Sequence, residues 1–185
     1  MPYAGRKSVG RACVPDKALL FCSVLYHRDA PLDHAIQALD TNFGHPAFTS
    51  ESMPFNYTDY YRREMGEPLH RVILSFSELV GRDCLPDVKT RTNEIEDRFL
   101  KGGKRSINLD PGLLSLENIC LATTKPYSHR FYLGKGIWAE LTLIYRGNSY
   151  QKLEWTYPDY ASDDLIRIFN HLRDDFKRRM PCRQA

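Results

Sequence analysis

Ala18-Leu19-Leu20-Phe21-Cys22-Ser23-Val24-Leu25-Tyr26 is almost continuously apolar. A strand with one wet face alternates polar and apolar residues, so a short run without alternation reads as a strand buried on both faces. It therefore belongs at the centre of a sheet. After Pro31, apolar residues recur at Leu32, Ile36, Leu39 and Phe43 and stop at Gly44, the pattern of a helix with a glycine after its last turn. Residues 46–56 contain Pro46, Pro54 and mostly polar residues and read as connection, with a short strand near Ala47–Thr49. A hairpin is expected next, with arms Tyr57–Glu64 and Leu69–Phe76 about Gly66-Glu67-Pro68. Leu85, Val88, Thr92, Ile95 and Phe99 predict a second helix ending at Gly102-Gly103, and a strand near Ser106–Leu109 follows.

The resulting β-α-β-β-α-β order is that of the ferredoxin-like split unit, an α+β fold with two helices on one face of an antiparallel sheet. Strands at Ile119–Thr123, His129–Leu133, Ile137–Tyr145 and Tyr150–Trp155 extend that sheet or form a second layer. A terminal helix starts after Ser162. Asp163 and Asp164 lead it, Lys177, Arg178 and Arg179 end it, and Leu165, Ile168, Phe169, Leu172 and Phe176 form its apolar stripe.

With 185 residues the chain suits one α+β domain over residues 17–180, after a loose arm at 1–16 that carries Arg6, Lys7 and Arg11. The 26 Lys and Arg against 23 Asp and Glu leave a formal charge of +3, too little to draw nucleic acid or anionic lipid by field alone. Cys13, Cys22, Cys84, Cys120 and Cys182 are scattered and odd in number, which suggests neither a zinc knuckle nor a disulfide framework and fits a cytoplasmic protein. The longest apolar run is too short to cross a bilayer, and residues 1–16 lack a signal-like apolar stretch. No Gly-x-Ser-x-Gly elbow occurs, and neither Gly102-Gly103-Lys104 after a helix nor Gly134-Lys135-Gly136 in a hairpin makes a P-loop.

Four segments depart from the periodic pattern: Pro54-Phe55-Asn56-Tyr57-Thr58-Asp59-Tyr60-Tyr61, Asn108-Leu109-Asp110-Pro111-Gly112, Ala122-Thr123-Thr124-Lys125-Pro126-Tyr127-Ser128-His129-Arg130, and Trp155-Thr156-Tyr157-Pro158-Asp159-Tyr160. In this order they resemble the bacterial domain-of-unknown-function family 4416, over roughly residues 18–178. The resemblance implies no reaction, cofactor or catalytic residue.

The chemistry must be read from the side chains. Pairing Leu133 with Ile137 across a three-residue loop sets Tyr132 opposite Trp138 and Arg130 opposite Glu140, with Phe131, Leu133, Ile137, Ala139 and Leu141 on the apolar face. The polar face is either a solvated surface with an ion pair contributing under about 1 kcal/mol, or the floor of a site. Thr123, Thr124, Lys125, Ser128, His129 and Arg130 set hydroxyl donors beside cations, a combination suited to phosphate or carboxylate and also to a self-bonded turn.

Asp59, Asp110, Glu140 and Asp159 are the acids of these segments, and Asp110-Pro111-Gly112 is also an ordinary turn sequence. Asp59 and Asp110, if they meet, are the candidates to hold Mg²⁺ or Mn²⁺. Tyr57-Thr58-Asp59-Tyr60 echoes Tyr157-Pro158-Asp159-Tyr160, placing rings beside a carboxylate either to pack or to stack on a base. The expectation is a site for a phosphorylated or nucleotide-like small anion. Lys125, His129 and Arg130 would contact it, aided by Thr124 and Ser128, with Asp59, Tyr60, Asn108, Asp110, Tyr132, Trp138, Glu140, Tyr157 and Asp159 in support. If the site is catalytic, metal-assisted phosphoryl chemistry is the class indicated. The alternative is a non-enzymatic module binding protein or nucleic acid on its aromatic sheet face, and a third reading makes the odd segments an oligomer interface.

Overall fold

The computed structural model describes residues 12–180, so most of the expected N-terminal arm lies outside the described residues. The elements in chain order are β1 (Ala18–His27), α1 (Leu32–Phe43), β2 (Pro46–Thr49), β3 (Met53–Pro54), α2 (Arg62–Met65), β4 (Leu69–Val80), α3 (Leu85–Asp97), β5 (Ile107–Leu114), β6 (Asn118–Thr123), β7 (Arg130–Gly134), β8 (Ile137–Arg146), β9 (Ser149–Lys152) and α4 (Asp163–Arg179). The strands make one open antiparallel sheet in the order β2-β4-β1-β5-β6-β8-β7, with β3 also pairing β4 and β9 also pairing β8. The later strands therefore extend the sheet and form no second layer.

β1 is central, and Ala18 through Tyr26 are all buried. Strand alternation sends Ala18, Leu20, Cys22, Val24 and Tyr26 into a core with Ala35 and Leu39 of α1 and Val88 and Ile95 of α3. Leu19 and Phe21 enter a second core, with Leu165, Phe169, Leu172 and Phe176 of α4. The unbroken apolar run thus reflects helices on both faces: α1 and α3 on one, α4 on the other. Ser162 caps α4 as its sequence requires, accepting from the Leu165 N–H.

The expected hairpin is misplaced. Tyr57–Glu64 is not a strand; it holds a turn and most of the single helical turn α2, and β4 pairs with β1 on one side and with β2 and β3 on the other. The aromatic residues of 55–61 pack on one another instead: Phe55 and Tyr61 meet edge to face at 6.0 Å, and so do Tyr60 and Tyr61 at 4.9 Å. The second helix also ends earlier than expected, at Asp97, leaving Phe99 just past it.

Asp110-Pro111-Gly112 is strand, not turn, and the reason lies in how β5 is paired. β1 lines β5 from Ile107 to Leu114, whereas β6 pairs only Gly112, Leu113 and Leu114. Before Gly112 the second edge of β5 is open, and α3 occupies it: Glu96 Oε1 accepts the Leu109 N–H at 2.7 Å while Lys89 Nζ donates to the Leu109 carbonyl at 2.7 Å. Two helix side chains thus replace the missing strand. Pro111, two residues on, faces the same open edge, so its lack of an N–H interrupts no bond to β1. Gly112 is required by packing, since a Cβ there would stand 2.5 Å from Phe21 Cζ.

The β7–β8 hairpin keeps the expected Tyr132–Trp138 and Arg130–Glu140 pairs but turns more tightly. Gly134 pairs with Ile137, so the loop is the two residues Lys135 and Gly136, both at positive φ (54° and 74°), and a bulge absorbs Leu133. The expected burial is inverted in part. Phe131 (73% exposed) and Leu133 (40%) project from the edge strand, whereas the Arg130–Glu140 pair is buried, its side chains 6% and 2% exposed.

Candidate functional site

On the N-terminal side of Gly112 the sheet divides, with β5 on one side and β6, β8 and β7 on the other. Three loops cover the polar face at this end: 55–61, 124–129 and 155–160. Two polar networks result.

The first follows β5. Asn108 donates to Asp110 Oδ2 at 2.7 Å and accepts from Arg105 at 2.6 Å, and Arg105 grips Glu64 with Nε and a terminal nitrogen at 2.8 and 2.7 Å. Hydrogen bonding to Arg105 holds the Glu64 carboxyl below its usual range. Asp110 also lies 3.4 Å from Lys89 Nζ. Glu96, by contrast, is pushed up by burial, with Lys89 chief among the groups that pull it back.

The second network lies on β7, β8 and the 124–129 loop. Glu140 Oε2 accepts from Arg130 Nε at 2.7 Å and contacts His129 Nε2 at 3.2 Å. Arg130 also donates to the Lys125 carbonyl and to the Tyr157 hydroxyl, both at 2.8 Å. Lys125 Nζ meets the Tyr60 hydroxyl at 2.6 Å. His129 stacks on Trp155, with centroids 5.0 Å apart and planes 12° apart, and Tyr127 lies beside it at 5.0 Å. Glu140 Oε1 is buried without a hydrogen-bond partner among the described residues.

Of the residues singled out in the sequence, Lys125, His129, Arg130, Glu140, Tyr60 and Tyr157 therefore meet in one cluster, with Thr124 and Ser128 exposed on its loop. Asn108 and Asp110 belong to the first network, and Tyr132 and Trp138 pair farther along the hairpin at 5.2 Å. Asp59 is exposed and paired with Arg62 at 3.1 Å, so the Asp59 and Asp110 carboxylates have separate partners. Asp159 is also elsewhere, in a buried pair with Arg71 whose guanidinium lies 4.7 Å from the Phe55 ring centroid and 5.2 Å from that of Tyr160. Among the described residues no three or more His, Cys, Asp or Glu side chains gather as a metal-ion site.

Sequence reading missed Glu64, Lys89, Glu96, Arg105 and Arg71. Arg71 inside the apolar run of β4, and Lys89 and Glu96 on the same face of α3 as Thr92, were the available signals, because a charge on a buried face requires a partner.

Burial, reinforced by Asp110, drives the Tyr61 and Tyr160 phenols well above their ordinary range, and burial does the same to Tyr150. Their folded-state pKa values exceed the unfolded one, so stability from these groups is complete below about pH 10 and lost as pH rises beyond it. An alkaline titration followed by phenolate absorbance and circular dichroism should show these tyrosines ionising only together with unfolding. Full ionisation ahead of unfolding would contradict their packing.

No described helix is long and apolar enough to cross a membrane. Compared with known families, the model described as "Domain of unknown function (DUF4416)" matches residues 16–176. No curated protein and no solved structure matches the chain. A match over most of the chain places the protein, and it belongs to the DUF4416 family of domains of unknown function.

Proposed function

We propose that this protein binds a phosphorylated or nucleotide-like small anion at the Lys125–His129–Arg130 cluster. The observation that carries this reading is that each basic side chain touches an exposed aromatic residue: Tyr60 on Lys125, Trp155 and Tyr127 on His129, and the Tyr157 hydroxyl on Arg130. Rings from three loops around cations offer a stacking surface beside a charge-neutralising one, the two halves a nucleotide requires. Glu140 orients Arg130 and His129, while Lys125 remains exposed and available to a phosphate. The separate engagement of Asp59 and Asp110 favours binding over metal-assisted phosphoryl transfer.

The scaffold supports a ferredoxin-like reading of residues 17–114, because β2-β4-β1-β5 with α1 and α3 on one face is the split β-α-β-β-α-β arrangement. We take residues 17–180 as one domain on this basis. The free thiols of Cys13, Cys22, Cys84 and Cys120 fit a cytoplasmic setting.

Lys125→Met tests the anion site. Its side chain is exposed, so the unfolding midpoint should stay unchanged, while affinity for a nucleoside triphosphate, read by Trp155 fluorescence, should fall roughly tenfold or more. Unchanged affinity would remove Lys125 from the site, and no saturable response to nucleotides, sugar phosphates or inorganic phosphate would sink the reading. The exposed Phe131, Tyr132 and Leu133 on edge strand β7 favour a second reading, a protein-interaction module built on that edge. A concentration-dependent mass in solution, abolished by Phe131→Lys, is its signature for self-association.

A further inference from the structure

A cavity of about 600 Å³ lies between the β2–β3 edge and the N-terminal half of α4, away from Lys125, His129 and Arg130. That volume falls within the range of small-molecule sites, which are mostly apolar with a few placed polar groups. Phe48, Met53, Phe55, Leu165 and Ile168 supply apolar wall. One deeply buried cation, Arg71, stands in the lining at 5% exposure.

Arg71 is only partly satisfied. One terminal nitrogen meets Asp159 and the guanidinium lies against Phe55 and Tyr160, but its Nε–H has no acceptor among the described residues. Buried donors in native proteins are almost always paired, and Arg71 lines the cavity, so its unpaired Nε–H, closed off from solvent here, is where an acceptor belongs once the guanidinium shifts to meet it. Charge then narrows the occupant. Asp159 already neutralises Arg71, and the lining as a whole sets Arg71 and Arg167 against Glu51, Asp159 and Asp164. An anion would meet more negative than positive charge there, whereas a neutral oxygen would not.

We infer that this cavity is a second ligand site, for an uncharged, largely apolar small molecule whose carbonyl oxygen accepts the Arg71 Nε–H. The site is independent of the anion reading, sharing none of its cations.

Prodan, a neutral naphthalene ketone whose emission moves to the blue on leaving water, is a suitable probe for the full chain. It should bind saturably, one per chain, and Lys125→Met should bind it as the unaltered protein does. Ile168→Trp fills the cavity from the half-buried side of α4 and should weaken binding at least about tenfold without altering circular dichroism. Thr49→Trp, at an exposed position on the cavity rim, makes the same test if the first variant does not fold. N-phenylnaphthylamine, equally apolar but without a carbonyl, should bind roughly tenfold more weakly, the loss expected for a hydrogen bond from a charged donor. Absence of saturable prodan binding, or binding that survives the folded filling variants, overturns the site. Equal affinity for the carbonyl-free probe overturns the role of Arg71, and tighter binding of anilinonaphthalene sulfonate overturns the preference for a neutral ligand.

Discussion

Replacing Arg130 with methionine should cost about 3–5 kcal/mol of stability, because it leaves the Glu140 carboxylate buried without its cation. Glu140 is 1% exposed, and the acceptors of Arg130 lie on three separate segments: Glu140 of β8, the Lys125 carbonyl and the Tyr157 hydroxyl. His129 also meets Glu140, at 3.2 Å, but it is Arg130 that joins all three segments. The sequence reading of a solvated pair contributing under about 1 kcal/mol applies to exposed ions and not to this one. Urea-induced unfolding followed by circular dichroism measures the cost. Arg130→Met/Glu140→Leu should recover most of the loss, since a buried ion pair exchanged whole for apolar side chains is often neutral. A single-variant loss below about 1 kcal/mol would show the pair to be wet after all. Arg130 is for the same reason unsuited to a binding test, where a neutral variant would confuse unfolding with lost affinity; the exposed Lys125 carries that test instead.

The central strand was legible because burial on both faces removes almost all polar residues from a strand, and Ala18–Tyr26, with Ser23 the exception, shows that. The β7–β8 pairs were legible because a glycine-flanked turn sets the register of its own arms. Neither inference needs a distant residue. The failures are mostly places where distant residues decide. Tyr57–Glu64 has the aromatic content of a strand, yet its rings are held over the sheet by contacts such as Lys125 on Tyr60. Met53–Pro54, a real strand of two residues, is too short to show a period. Asp110-Pro111-Gly112 has turn chemistry but lies in β5, because Leu109 finds its partners on α3 and Gly112 must admit the Phe21 ring. In the site, sequence identified the cations and rings of the 124–130 segment. It could not show that Glu140 is buried beneath them, nor that Arg71 and Asp159 form a separate buried pair.

Lys89 gives the sharpest test of how the open edge of β5 is closed. Lys89→Met removes the donor to the Leu109 carbonyl and the cation 3.9 Å from Glu96 and 3.4 Å from Asp110, at a side chain only 8% exposed. A loss of about 3 kcal/mol at neutral pH is expected, from an unpaired buried carbonyl and a carboxylate stripped of its main counter-charge. The loss should depend on pH in a direction that identifies Glu96. Burial already holds its carboxyl above the ordinary range and Lys89 opposes that shift, so removing Lys89 raises the folded-state pKa further. The unfolded chain then gives up the proton first as pH rises from about 4.3, and the folded state loses stability as pH climbs toward and through the raised value. The deficit of the variant should therefore be smaller at about pH 5 than at about pH 7, as read from paired urea midpoints. Lys89→Met/Glu96→Gln keeps an oxygen for the Leu109 N–H but no charge, so it should regain part of the loss and flatten the pH dependence. A deficit equal at both pH values would mean that Glu96 is not the group left bare, and that Asp110 or the Leu109 carbonyl accounts for the cost.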